Sequence, residues 1–291
     1  MLVCALRWFR PGSIVACEVP SYEPVRALAA YLGAERRLLR RRLETGWTIE
    51  TGDVEHALAG AAPGHVFLTN PNNPTGAELD AERLRAIADV AAAHDGVLVS
   101  CEVYMEYVRG SERVHAFDVA PNGVSIGSLT KAYGLGGLRA GWIILGEGLA
   151  DERARVRDMT YLSWVDPPTA SLRGANLALQ RLPQLLEPLR RIESESRPRL
   201  VRWLEETPGV HATIPPHGII SFPRLDGVDD TLDFARWLAS EYSVDVVPGE
   251  YFGLKGHVRV GCGVPEATLV EGLARLSRAL EAWRAGAGRE A

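Results

Sequence analysis

The sequence predicts an α/β protein, with a mostly parallel sheet covered by helices in a large domain and a smaller α+β layer after it. Three observations carry this. Short apolar, β-branched runs at 13–19, 65–69, 96–103, 124–128 and 141–146 alternate with amphipathic stretches, as strands buried on both faces do. From residue 148 the pattern turns helical, with stretches at 148–164, 167–181 and 184–207. The last of these is long enough to connect two bodies, so a large domain over 1–185 and a small one over 186–291 are expected.

Residues 2–10 read as the end of a helix, closed by Pro11-Gly12, because proline cannot continue a helix and glycine takes the turn. A β-branched strand follows at 13–19, and Pro20-Ser-Tyr-Glu-Pro24 starts a helix that runs to Gly33. The stretch 36–42 is a short strand carrying five arginines, expected as a solvated edge. A short helix at 53–60 precedes the strand 65–69, which runs into Asn70-Pro-Asn-Asn-Pro-Thr-Gly76, where prolines and asparagines prescribe tight turns. Helix 81–94 and the strands 96–103, 124–128 and 141–146 complete the first body. The C-terminal third reads strand 210–214, strand 217–222, helix 231–242, strands 244–247 and 257–262, then helix 265–285. Residues 286–291 are expected to form a frayed tail.

Composition removes several classes of function. At 31.7 kDa and 46% hydrophobic residues, the chain can bury a large core. A net charge of −5 and a pI near 5.9 leave no electrostatic footprint for nucleic acid or an anionic membrane. No apolar run approaches the roughly 20 residues that span a bilayer. Cys4, Cys17, Cys101 and Cys262 form no Cys-x-x-Cys pair, which argues against zinc or a disulfide framework and fits a reducing cytoplasm.

The chemistry concentrates around a lysine. Lys131 and Lys255 are the only lysines, whereas 30 basic residues are arginine. An amine can lose its proton and attack a carbonyl, while a guanidinium stays charged. Ser128 stands three residues before Lys131 and Arg139 eight after it, with Gly134, Gly136 and Gly137 between. A hydroxyl, an amine and a guanidinium around a glycine-rich turn can hold a phosphate beside an aldehyde. Ligands of parallel sheets gather at the carboxyl ends of strands, where Tyr22, the Asn70–Gly76 turn and Cys101-Glu-Val-Tyr104 stand.

The segment from Ser128 to Trp142, Ser-x-x-Lys followed by Gly-Leu-Gly-Gly-Leu-Arg-Ala-Gly-Trp, resembles the signature of the class I/II aminotransferases. These are fold-type I enzymes dependent on pyridoxal 5'-phosphate (PLP). The Asn-Pro-Thr-Gly core and His257-Val-Arg259 support the same resemblance. It implies that Lys131 holds PLP as a Schiff base and that Ser128 or Ser125, with Arg139, grips the phosphate. Tyr22 would stack on the pyridine ring, and Asn73 and Tyr104 would hydrogen-bond its phenolic oxygen. Arg259, with Asn73 beside it, would clamp the substrate α-carboxylate, since a bidentate Arg–carboxylate pair sets orientation. Lys255 reads as a surface residue and His217 as a turn histidine.

One position departs from the family pattern. Where the family carries an aspartate that keeps the ring nitrogen protonated, this chain carries Cys101. Glu102 cannot replace it, because adjacent strand residues point to opposite faces. A neutral thiol leaves the ring nitrogen less basic and the electron sink weaker, whereas a thiolate could partly replace the aspartate. The resemblance covers residues 5–285 and begins part-way into the family's domain, without the N-terminal arm and the glycine–hydroxyl turn that helps cradle the phosphate. It implies transfer of an amino group between an amino acid and a 2-oxo acid, in a cytoplasmic homodimer. A PLP-dependent lyase, decarboxylase or cyclase, and a non-catalytic paralogue, are the alternatives that Cys101 keeps open.

Overall fold

The computed structural model describes residues 1–287; of the tail expected at 286–291, residues 288–291 lie outside the described residues. Helix α1 (Leu2–Trp8) leads into β1 (Ile14–Val19), then α2 (Glu23–Tyr31), β2 (Glu35–Arg40), α3 (Thr51–Leu58) and β3 (Gly64–Thr69). Helix α4 (Ala81–Ala93), β4 (Leu98–Cys101), the short α5 (Ala116–Val119), β5 (Gly123–Ser128) and β6 (Gly141–Leu145) follow. The six strands form one sheet in the order β2-β1-β3-β4-β5-β6, with every neighbouring pair parallel except β5 and β6. The chain steps outward from β1 to β2 and then returns to the other side of β1 with β3. Such a reversal opens a crevice at the carboxyl ends of β1 and β3.

The central strands are apolar throughout because both faces are covered. On β3, Val66 and Leu68 enter one core with Leu84 and Ile87 of α4, while Phe67 enters the other with Phe9 and Val99. Each such side chain, fully buried, contributes on the order of 1.5–3 kcal/mol. Gly96 precedes β4 for a steric reason: a Cβ there would lie 1.7 Å from the Gly64 carbonyl oxygen.

After β6 the chain is helical: α6 (Arg153–Trp164), α7 (Thr169–Leu179), α8 (Leu182–Leu185), α9 (Glu187–Arg191) and α10 (Arg197–Glu206). The single helix expected at 184–207 is a broken run, with a π-helical turn at Ile192–Ser196 between α9 and α10. Beyond it lie β7 (Val210–His211), β8 (Ile220–Ser221), β9 (Arg224–Leu225), α11 (Thr231–Tyr242), β10 (Val247–Pro248), β11 (Val258–Gly261) and α12 (Glu266–Arg284). These strands pair as two small antiparallel sheets, β10-β11-β8 and β7-β9. They are shorter than the sequence suggests, and β9 is an addition to it. Helices α10, α11 and α12 cover them through Trp203, Phe234, Leu276 and Trp283.

Candidate active site

The carboxyl ends of the parallel strands carry the site. The turn after β3 is fastened by its own asparagines. Asn70 Nδ2 donates to the Leu79 carbonyl at 3.1 Å while its Oδ1 accepts from Leu79 N at 2.9 Å. Asn72 Oδ1 accepts from Thr75 N at 3.1 Å and Thr75 Oγ1 at 2.7 Å, and its Nδ2 reaches the Pro20 carbonyl at 3.3 Å. Gly76, at φ +76°, closes the turn against Pro215, which a Cβ would meet at 2.6 Å. Asn73 is left to point across the crevice.

There it meets Arg259 of β11, whose Nη1 donates to Asn73 Oδ1 at 2.8 Å. Arginine can only donate, so Asn73 must present its oxygen to Arg259 and its Nδ2 elsewhere. Arg259 Cζ stands 5.2 Å from the centre of the Phe252 ring, which supports the guanidinium from one side. Burial lowers the pKa of Arg259, and Tyr104 opposes that shift. Burial pushes the Tyr104 phenol up, and Arg259 pulls it back; Cys101 and Tyr22 act on the same phenol from nearby. The structure therefore brings Tyr22, Asn73, Cys101, Tyr104 and Arg259 together. Tyr22 is half exposed (50%), with its ring uncovered at the start of α2.

Lys131 occupies the turn between β5 and β6. Its neighbours Leu129, Ala132 and Tyr133 are buried in one cluster with Tyr104 and Tyr107, which presses the turn against the segment after β4. Tyr133 Oη donates to Glu106 at 2.6 Å and locks that contact. The Lys131 side chain is exposed and has no hydrogen bond or ion pair among the described residues. Trp142 lies over Gly127, its β-partner, where any Cβ would come within 2.2 Å of the indole. Ser128 and Arg139 share the turn without bonding to each other. Ser128 Oγ accepts from Thr130 N at 3.3 Å, and Arg139 Nη1 reaches the Gly136 carbonyl at 3.3 Å.

Several expectations need correction. Ser125 is not free for a phosphate: its hydroxyl donates to Glu102 Oε1 at 2.8 Å and accepts from Phe117 N. Glu102, on the sheet face opposite Cys101, also binds Ala116 N at 2.8 Å and His115 Nδ1 at 2.5 Å. That bond raises the His115 pKa. His217 lies in a bend, as expected, but it is buried, with Nδ1 3.1 Å from Glu78 Oε1. The arginine-rich edge is not wholly solvated either: Arg41 is buried and its Nη2 lies 2.7 Å from Glu18 Oε2.

Glu18 and Arg41 are the residues sequence reasoning missed. Glu18 Oε1 also accepts from Thr69 N at 2.8 Å, so the pair ties the ends of β1, β2 and β3 together. Burial raises the Glu18 pKa, and Arg41 counters it. The available signal was a carboxylate within the apolar strand Ile-Val-Ala-Cys-Glu-Val, next to a strand ending in arginines.

The groups fit PLP. Lys131 offers an amine, and Asn73 Nδ2 and Tyr104 Oη, neither with a hydrogen bond to the described residues, offer donors. Residues 1–276 match the family model for aminotransferase class I and II. The chain belongs to this family. Aminotransferases of this family are PLP-dependent, and this chain, with its mostly parallel sheet, has their fold-type I architecture. Over 271 residues the chain is 30% identical to capreomycidine synthase of Streptomyces vinaceus, covering 91% of this chain and 68% of that protein. It is 26% identical to nicotianamine aminotransferase 1 of rice, Oryza sativa, over 92% of this chain and 57% of that protein. A PLP-dependent aminotransferase from Streptococcus suis superposes with a TM-score of 0.86 at 30% identity, covering 96% of this chain and 74% of that one. The chain thus spans between about half and about two thirds of these curated relatives' length.

Proposed function

We propose that this chain is a PLP-dependent transaminase that moves an amino group from an amino acid to a 2-oxo acid, with Lys131 as the residue that takes the cofactor's aldehyde. PLP supplies that aldehyde and a conjugated ring that spreads negative charge from the substrate α-carbon. The observation that carries the reading is the Arg259–Asn73 bond at 2.8 Å, which aims a cation and an amide into one crevice beside Tyr104. In this reading Arg259 keeps its remaining donors for the substrate carboxylate, which fixes the α-carbon relative to Lys131. Asn73 Nδ2 and Tyr104 Oη stabilise a phenolate oxygen, and Tyr22 covers the ring. The Lys131 amine, when free, would take the substrate α-proton as general base and return it as acid. Ser128 and Arg139, which share the turn around Lys131, would hold the phosphate.

Residues 1–185 form the cofactor-holding body and 186–291 the smaller body bearing Arg259. We place two copies together through α6 and the start of the following loop, because Tyr161, Leu162, Trp164 and Val165 are 53–82% exposed there. The four unpaired, buried cysteines favour the cytoplasm. The test is product analysis: protein loaded with PLP and given single amino acids should yield one 2-oxo acid per active site. Release of ammonia, carbon dioxide or a cyclised product would move the assignment to a lyase, decarboxylase or cyclase. Absence of any product would leave a binding protein.

A further inference from the structure

A protonated pyridine is held by a carboxylate beside it, and near Cys101 the described residues have none to spare. The charged groups within electrostatic reach of Cys101 are the Met1 ammonium, Glu102 and Glu18. Glu18 is held by Arg41 at 2.7 Å and by Thr69 N at 2.8 Å. Glu102 is held by His115, Ala116 N and Ser125 on the other face of the sheet. What remains at the position of the family's aspartate is a thiol, which burial pushes up to about 11, so that it keeps its proton at neutral pH.

A second group stands beside it. Thr69 ends β3 as the direct register partner of Cys101 on β4, so the two side chains share one face of the sheet on strands about 4.8 Å apart. Thr69 is buried (3% exposed), and its Oγ1 has no hydrogen-bond partner among the described residues. A buried hydroxyl without a partner is uncommon, because the lost hydration is not repaid within the protein. Its backbone N–H is already given to Glu18, so the hydroxyl alone is free to turn toward a ligand.

We infer that Cys101 and Thr69 form a neutral cradle that keeps the cofactor's ring nitrogen unprotonated and donates a hydrogen bond to its lone pair, with Thr69 a cofactor-binding residue. This rests on PLP being held at Lys131. A pyridine nitrogen accepts from S–H or O–H, whereas a pyridinium could donate to the hydroxyl oxygen but would find no carboxylate to balance its charge. The consequence is an enzyme whose ring withdraws charge less strongly, leaving more of the proton handling to Lys131.

The test loads the protein with PLP labelled with 15N in the ring, reduces one portion with borohydride for mass spectrometry and records 15N spectra on the other. The expected result is a phosphopyridoxyl adduct on Lys131 and a ring nitrogen at the chemical shift of unprotonated pyridine. In Cys101→Asp the shift should move to the pyridinium position. Thr69→Val removes one hydrogen bond and should weaken PLP binding by about three- to tenfold. It should not lower the thermal stability of the cofactor-free protein, since the buried hydroxyl has no partner there to lose. An adduct on Lys131 with a pyridinium shift in the unsubstituted protein would overturn the inference and leave the cofactor reading standing. Unchanged PLP affinity in Thr69→Val would remove Thr69 from the cradle. No adduct on Lys131 would overturn the cofactor reading and this inference with it.

Discussion

Arg259 Nη1 lies 2.8 Å from Asn73 Oδ1, and this bond ties the small antiparallel sheet to the turn after β3. The bond does two things. It fixes the asparagine so that Nδ2 faces away from Arg259, and it anchors one corner of a guanidinium whose other donors stay available.

Arg259→Lys therefore loses both the fork and the anchor. A lysine ammonium cannot bind a carboxylate side-on and hold Asn73 at once. A charge-assisted bond worth about 1.5–3 kcal/mol corresponds to a rise in KM for the amino acid of one to two orders of magnitude. Steady-state kinetics with a single amino donor would check this, and an unchanged KM would remove Arg259 from the substrate site.

Two histidines give stability opposite pH dependences. His65 Nδ1 accepts from Val97 N at 3.2 Å, so its ring proton sits on the buried Nε2. Burial lowers its pKa to about 4, and stability is lost as pH falls from about 6.5 toward that value, because the unfolded chain binds the proton first. His115 is raised by its bond to Glu102, so its contribution is complete below about 6.5 and is lost as pH rises through its folded value. Thermal midpoints across pH should show both limbs. His115→Gln should flatten the alkaline limb only, and His65→Gln the acid limb only.

The buried Glu18–Arg41 pair predicts an asymmetric result. Arg41→Met alone leaves a carboxylate in the core and should cost about 3–5 kcal/mol. Combining it with Glu18→Gln should recover a substantial part, because the amide still accepts from Thr69 N. Urea unfolding of the two variants measures the difference; equal losses would contradict it.

How much of this was legible in the sequence depends on whether the signal was local. The strands β1, β3 and β5 read directly, since a run such as His-Val-Phe-Leu-Thr, buried on both faces, has no other comfortable state. The lysine turn and the Asn-Pro-Asn-Asn-Pro-Thr-Gly turn were also local, carried by glycine, proline and asparagine. The Glu18–Arg41 pair was not, because its partners are 23 residues apart and meet only once β2 lies beside β1. Thr69 escaped for a similar reason: its importance is the register Thr69–Cys101, which exists between strands and not along one. The C-terminal strands came out shorter than expected because pairing in small sheets ends where turns, not propensity, dictate.

Gly127→Ala tests the packing that holds the lysine turn. The added methyl would collide with the Trp142 indole, which must rotate away from β5. Overpacking of this kind costs about 1–3 kcal/mol. The expected outcome is a lower thermal midpoint together with weaker PLP uptake, read by calorimetry and by absorbance of the bound cofactor. A lower midpoint with unchanged uptake would show that the turn does not depend on Trp142.

The central claim is that the Lys131 amine is the covalent anchor, and the two-lysine sequence makes its test unusually clean. Protein incubated with PLP, reduced with borohydride and digested should carry the phosphopyridoxyl mass on the peptide containing Lys131, and Lys131→Arg should abolish it. Labelling confined to Lys255, or none at all, would contradict the account.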